Sequence, residues 1–256
     1  MKVVLIGSGS VATHLGLALQ SKGIVISQVY SRNVTNAETL AEKLNTSFIT
    51  DISEIYKEAD VYFYALTDTA FKSLLRKIEI PAGIHVHTAG CIPMNEFEGF
   101  TSNYGVFYPL QTFSKNKPVD FSKIPVCIEA SNTEVQQKLL EIANLVTTRT
   151  YLINSEQRKK LHLAAVFACN FTNYMYDVAS VILEDSGLLF DMIQPLIAET
   201  ANKTKTMIPF EAQTGPAVRL DENTIEKHLS MLNKWPELKK TYKLLTKSIY
   251  KRHKKH

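Results

Sequence analysis

Six residues near the start of the chain, Gly7-Ser8-Gly9-Ser10-Val11-Ala12, set two glycines and a small residue at the spacing G-x-G-x-x-A. They follow an apolar run, 3–6, and open an amphipathic segment that ends at Gly23. This is the strand, turn and helix context that such a motif requires. Each position has a mechanical task. Gly7 permits a tight turn, Gly9 lets the backbone approach a bound anion, and Ala12 lets helix and strand pack closely. Free amides and the positive end of the helix dipole then face the anion. The pattern predicts that residues 7–12 cradle the pyrophosphate of a dinucleotide.

The end of the expected second strand, 24–30, decides between two forms of such a coenzyme. Without a 2′-phosphate, the ribose hydroxyl is usually bonded there by Asp or Glu. This chain reads Tyr30-Ser31-Arg32-Asn33, with no acid. A carboxylate would repel a phosphate, whereas Arg32 can pair with it through a planar fork and Ser31 can add a hydrogen bond. Ser31, Arg32 and Asn33 are therefore expected to read the 2′-phosphate, and the coenzyme to be NADP(H) in preference to NAD(H). Ligands of open α/β sheets lie beyond the carboxyl ends of the strands. Leu66 and Thr67, after the run 61–66, and Thr88 and Ala89, after the run 84–88, are expected to flank the ribose and nicotinamide.

A second set of chemically capable residues lies on an expected helix, 156–184, which contains the longest apolar stretch of the chain, 161–183. At about 100° per residue, Lys159, His162, Asn170, Asn173 and Asp177 fall on one narrow side. Most other positions are apolar or aromatic, so the segment reads as a helix buried in protein whose polar stripe suits a cleft wall. Such groups also serve structure alone when they are hydrogen-bonded. Reducing a carbonyl or imine needs a proton donor for the atom that gains charge. His162 is the first candidate, because imidazole titrates near working pH. Asn170 would orient the substrate or stabilise developing negative charge, with Lys159 or Lys160 as a reserve acid. Farther on, Thr214-Gly215-Pro216 precedes Arg219 and Asp221. Arg219 can clamp a substrate carboxylate, or pair with Asp221 in an ordinary interhelical turn. His228 is a further candidate, and His14 reads as packing or solvent-facing.

These residues need a scaffold. At 256 residues the chain is long for one core and comfortable for two. From Lys2 to about Leu152, strands expected at 3–6, 24–30, 48–49, 61–66, 84–88, near 106, 126–130 and 148–153 alternate with helices at 11–22, 36–45, 53–58, 69–77 and 133–145. That alternation is the signature of a mostly parallel, doubly wound sheet. After Asn154 helical patterns take over, at 156–184, 191–206, 224–233 and 236–252. Asn223 with Glu226 resembles a capping box, and Pro236 suits a first turn. The expected domains are an NADP-binding Rossmann domain, 1–153, and an all-α helical substrate and dimerisation domain, 154–256.

With these residues in hand the chain resembles the six-phosphogluconate-dehydrogenase-like group of Rossmann enzymes. That group includes ketopantoate reductase, pyrroline-5-carboxylate reductase and deazaflavin-dependent NADP oxidoreductase. Tyr108-Pro109-Leu110-Gln111-Thr112-Phe113, then His162-Leu163-Ala164-Ala165 with Asn170, then Thr214-Gly215-Pro216 with Arg219, Asp221 and His228, are similar to the family whose C-terminal half is domain of unknown function 2520. The similarity covers nearly the whole chain and departs at two places: Tyr108 stands where His is common, and Leu220 where Gly is common. It implies an NADP-dependent oxidoreductase that dimerises through its helical domain, with no substrate specified.

Composition narrows the partners. Lysines and an arginine gather near the C-terminus in a chain of net charge +4. With no stacking platform or groove-reading motif beside them, they read as a solvated helix face rather than a nucleic-acid surface. Cys91, Cys127 and Cys169 form no C-x-x-C pair, which suggests neither a disulfide framework nor a metal site and fits a reducing, cytoplasmic setting. The apolar segment has spanning length but carries His162, Asn170, Asn173 and Asp177, which are costly in lipid. The expected function is reduction of a small carbonyl or imine, a carboxylate among the candidates, by an NADPH-dependent homodimer. The alternative is a sensor that binds NADP without turnover.

Overall fold

The computed structural model describes residues 1–79 and 81–255. Its contacts divide the chain into two compact units, Met1–Cys169 and Asn170–His256. In the first unit the strands are β1 (Lys2–Ile6), β2 (Val25–Tyr30), β3 (Ser47–Ile49), β4 (Val61–Tyr64), β5 (Ile84–His87), β6 (Tyr104–Pro109), β7 (Val126–Ala130) and β8 (Thr150–Leu152). Among the described residues they form one eight-stranded sheet, ordered β3-β2-β1-β4-β5-β6-β7-β8. Pairing is parallel except between β6 and β7. Because β1 sits between β2 and β4, the winding reverses there, and that switch point is where ligands enter such sheets.

Residues of β1 alternate between two cores. Val3 and Leu5 face α1 (Ser10–Ser21), α2 (Val34–Lys43) and α4 (Thr133–Val146), whose Leu15, Leu40 and Leu139 are fully buried. Val4 and Ile6 face α3 (Asp68–Leu75) and an aromatic layer of Tyr62, Tyr64, Phe71 and Phe97. A strand covered on both sides reads as an unbroken apolar run, as this one does. The expected doubly wound sheet is the one observed.

Two helices differ from expectation. The helix expected over 53–58 is only a 3-10 turn, Ile52–Glu54. The Tyr56 amide instead donates to the Gln28 side chain at 2.8 Å, which draws the chain out of helical winding. The helix expected at 224 starts earlier, as α9 (Glu222–Met231), and its cap is Asp221, not Asn223: the Thr224 amide donates to Asp221 Oδ1 at 3.2 Å.

The segment after Asn154 is α5 (Ser155–Ala165), a π-helical stretch Val166–Phe171 and α6 (Thr172–Asp185). π winding breaks the constant step on which the single polar stripe was predicted. Nor is the segment buried within the chain: Arg158 is the buried residue of α5, and α6 has none. The second unit continues with α7 (Gln194–Lys203), α8 (Pro216–Arg219), α9 and α10 (Pro236–His253). Among the described residues of this unit Leu232 is the buried hydrophobic side chain, while Leu189, Met192, Leu196, Met231 and Leu244 are each at least 64% exposed. Leu220 lies in the left-handed region at φ 51° and closes α8. A side chain there costs roughly 1 kcal/mol.

Candidate functional site

The two glycines of the first loop are required for different reasons. Gly7 has φ +124°, and a Cβ on it would lie 2.2 Å from the Ala65 carbonyl oxygen at the end of β4. Its amide donates to the Tyr30 carbonyl at 2.8 Å, so this residue welds the ends of β1, β2 and β4 together. Gly9 is exposed, with φ −79° and ψ −175°. A Cβ on it would meet no described atom within 4 Å. Its smallness serves nothing inside the protein, which fits a ligand brought close to the backbone.

Gly9 is also the N-cap of α1, without a side-chain cap and with no acid in the first turn. The leading amides, those of Ser10, Val11 and Ala12, lack intrahelical acceptors and offer an anion site, whereas the Thr13 amide already donates to the Gly9 carbonyl at 3.0 Å. Ser8 and Ser31 join the neighbouring loops, Oγ to Oγ at 2.8 Å, and Ser31 Oγ accepts the Asn33 amide at 3.3 Å. Arg32 is exposed and forms no ion pair among the described residues. Asn33 is differently engaged: its side chain caps α2 by accepting the Asn36 amide at 2.9 Å.

Leu66 lies against Gly7, with its Cδ2 3.3 Å from the Cβ position, and Thr67 is the exposed N-cap of α3. Thr88 is buried with its amide on the Tyr64 carbonyl at 3.1 Å, and the Ala89 amide donates to His87 Nδ1 at 3.2 Å. The residues expected to hold the coenzyme thus stand along the carboxyl ends of β1, β2, β4 and β5.

The position of His162 follows from how α5 lies on the sheet. Tyr108 pairs across strands with Cys127, and Val106 with Glu129. These alternate residues form the face on which Leu161 packs. Fully buried Arg158 forms an ion pair with Glu129 and donates to the Ile92 carbonyl. One helical turn on, a rise of about 6 Å, His162 Nδ1 lies 3.0 Å from the Tyr108 hydroxyl. Two strand residues span about 6.8 Å, so helix and strands climb in step. Arg158 meets the Val106–Glu129 level and His162 the Tyr108–Cys127 level.

The loop after β5 is fastened to the same helix, since the Met94 amide donates to Ser155 Oγ at 3.0 Å. That loop passes beneath the imidazole: a Cβ on Gly90 would fall 2.6 Å from the His162 ring. Only glycine leaves room for the ring there. Burial pushes the Tyr108 phenol up to about 12, with Cys127 and Cys91 adding to the rise and Arg158 opposing it. The phenol therefore keeps its proton at neutral pH. His162 Nε2 has no hydrogen bond among the described residues.

Sequence reasoning reached His162 but missed Glu129 and Arg158. Arg158, one helical turn before His162, was the available signal. Of the other candidates, Lys159 is paired with Glu156 at 2.8 Å and Lys160 is exposed. Asn170 and Arg219 belong to the second unit. Asn170 is exposed, and Arg219 lies 3.5 Å from Asp221. His228 Nδ1 lies 2.8 Å from the Tyr242 hydroxyl. His14 is buried rather than solvent-facing, its Nε2 3.0 Å from the Ser114 carbonyl.

A mostly parallel sheet with a glycine loop at its switch point defines a dinucleotide-binding Rossmann fold. Residues 2–86 match the family described as NADP oxidoreductase coenzyme F420-dependent, and residues 124–249 match domain of unknown function 2520. A Bacteroides fragilis protein provisionally assigned as an NADP oxidoreductase is 50% identical over 98% of both chains, with a TM-score of 0.94. The fold also matches 1-pyrroline-5-carboxylate reductase from Streptococcus pyogenes: 11% identity, 98% of each chain, TM-score 0.66. It matches the imine reductase from Myxococcus stipitatus in complex with NADP+ at 15% identity, over 100% of this chain and 93% of that one, TM-score 0.71. Comparison with curated proteins finds no match. The chain belongs to the family of Rossmann-type NADP oxidoreductases that carry domain of unknown function 2520.

Proposed function

We propose that this NADP-dependent oxidoreductase reduces a small carbonyl or imine, with His162 as the proton donor. The observation that carries the reading is the His162 ring on Gly90, hydrogen-bonded to Tyr108 at the carboxyl ends of the coenzyme-side strands. Bound NADPH supplies the hydride. Residues 7–12 hold the pyrophosphate, Ser31, Arg32 and Asn33 surround the 2′-phosphate, and Leu66, Thr67, Thr88 and Ala89 line the ribose and nicotinamide side. As proton donor the ring is the imidazolium, whose Nδ1–H donates to the Tyr108 oxygen while Nε2–H gives its proton to the oxygen or nitrogen gaining charge, leaving a neutral imidazole held through Nδ1.

Residues 154–256 are assigned to substrate and dimerisation. Asn170 steadies developing charge and Arg219 takes a carboxylate, released from Asp221. Ketopantoate-like 2-oxo acids and pyrroline-carboxylate-like cyclic imines are the leading substrates. The imine is the group named in the Myxococcus stipitatus protein. The setting is proposed as cytoplasmic; among the described residues no helix is long and apolar enough to cross a membrane.

The test is NADPH oxidation with a panel of 2-oxo acids, aldehydes and cyclic imines. On the substrate found, His162→Gln should lower kcat about a hundredfold or more while NADPH affinity stays within about twofold. Binding of NADPH without turnover across the panel, or unchanged kcat in the variant, defeats the proposal.

The homodimer is proposed from the second unit. Helices α6 to α10 bury no residue of their own, and an amphipathic helix must bury its apolar stripe against something. A second copy supplies that cover in this reading. Sedimentation should give a dimeric mass at micromolar concentration, and Met192→Asp with Leu196→Asp should split it. A stable wild-type monomer with full helical content counts against the dimer.

A further inference from the structure

The loop joining β6 to β7 crosses the flank of α1 before it turns back. Phe113 stacks on the His14 ring with centroids 5.3 Å apart, and the Ser114 carbonyl lies 3.0 Å from His14 Nε2. From this anchored stretch the next residue, Lys115, reaches the first turn of α2, where its Nζ donates to Asn36 Oδ1 at 2.8 Å. Asn36 is the residue whose amide is capped by Asn33, and Arg32 immediately precedes that cap.

Two cations from separate loops thus gather at the positive end of a ten-residue helix whose first turn holds no acid. Charges of this sign favour the other end of a helix. Neither Lys115 nor Arg32 forms an ion pair with a carboxylate among the described residues. The placement is electrostatically costly for the protein alone and favourable around an anion.

A phosphate monoester carries a charge of about −1.5 to −2 at neutral pH, more than one guanidinium offsets. Arg32 supplies the planar fork, whereas a lysine supplies a point charge on a flexible stem. We propose that Lys115 is a second ligand of the coenzyme 2′-phosphate, so that the choice of NADPH over NADH is set from the β2–α2 loop and the β6–β7 loop together. This rests on the reading of Arg32 given above.

Direct titration of NADPH and NADH, followed by coenzyme fluorescence, needs no substrate. Lys115→Gln should weaken NADPH about tenfold and NADH less than about twofold, the loss of one charge-assisted hydrogen bond. Lys115→Glu should weaken NADPH further, and Lys117→Gln, an exposed lysine on the same loop, should alter neither. Unchanged NADPH affinity in Lys115→Gln, or equal weakening of both coenzymes, overturns the assignment of Lys115. A wild-type protein without preference for NADPH, together with no change in the coenzyme ratio in Arg32→Ala, removes the Arg32 reading and this one with it.

Discussion

Gly9→Ala should leave the fold standing while NADPH affinity drops about a hundredfold, a loss of about 2.7 kcal/mol. The backbone at Gly9 has an ordinary extended conformation and the new methyl group would enter open space. Exchanging Gly for Ala at a helix N-cap therefore costs at most about 1 kcal/mol. In the proposed cradle, that open space is where a pyrophosphate approaches the α1 amides. Gly7→Ala should do the reverse and destabilise the fold itself by more than about 4 kcal/mol. Its methyl group would be driven into the Ala65 carbonyl from a positive φ that alanine avoids. Thermal melts and coenzyme titration of both variants separate the two roles. Wild-type NADPH affinity in Gly9→Ala contradicts the proposed cradle.

Mild acid should destabilise the protein through two histidines of β5, before most carboxylates titrate. His85 is fully buried; its Nδ1 lies 2.9 Å from the Tyr64 hydroxyl and its Nε2 3.0 Å from the Pro81 carbonyl. That pairing suits a neutral ring, and burial pushes its pKa down to about 4. His87, also fully buried, is pushed down to about 3 by burial and then by the charge of Arg158.

In the unfolded chain both rings take up protons near pH 6.5. Between that value and the folded pKa values the unfolded state binds more protons. The stability contributed by the neutral rings is therefore complete above about pH 6.5 and is lost as pH falls toward 4. The slope is about 1.4 kcal/mol per pH unit for each histidine. Denaturant titrations at pH 7.5, 6 and 5 should show the decline, and His85→Gln with His87→Gln should flatten it. A wild-type stability that holds level from pH 7 to 5 disproves this account.

The parts legible in the sequence are those whose causes are local. The glycine loop, β1 and α1 lie within about twenty consecutive residues, and each reports its conformation through its own turn and apolar pattern. β7 was likewise found at its observed bounds, 126–130. The support beneath His162 was not legible, because its contacts join residues 54 apart (Tyr108 with His162), 29 apart (Glu129 with Arg158) and 66 apart (Ile92 with Arg158). A one-dimensional pattern has no term for such pairings. The false helix at 53–58 fails for the same reason, since the Gln28 side chain that diverts Tyr56 sits 28 residues earlier. Apolar character in the C-terminal half predicts burial in protein; apolar stripes specify that cover is needed without specifying which molecule gives it.

The matched climb of α5 and the paired strands makes the imidazole a fixed point whose height is dictated by the sheet's own repeat. With Arg158 held at one level and His162 at the next, the proposed donor cannot drift by a fraction of a turn, so a substrate of another length would have to bring its own reacting atom to that height.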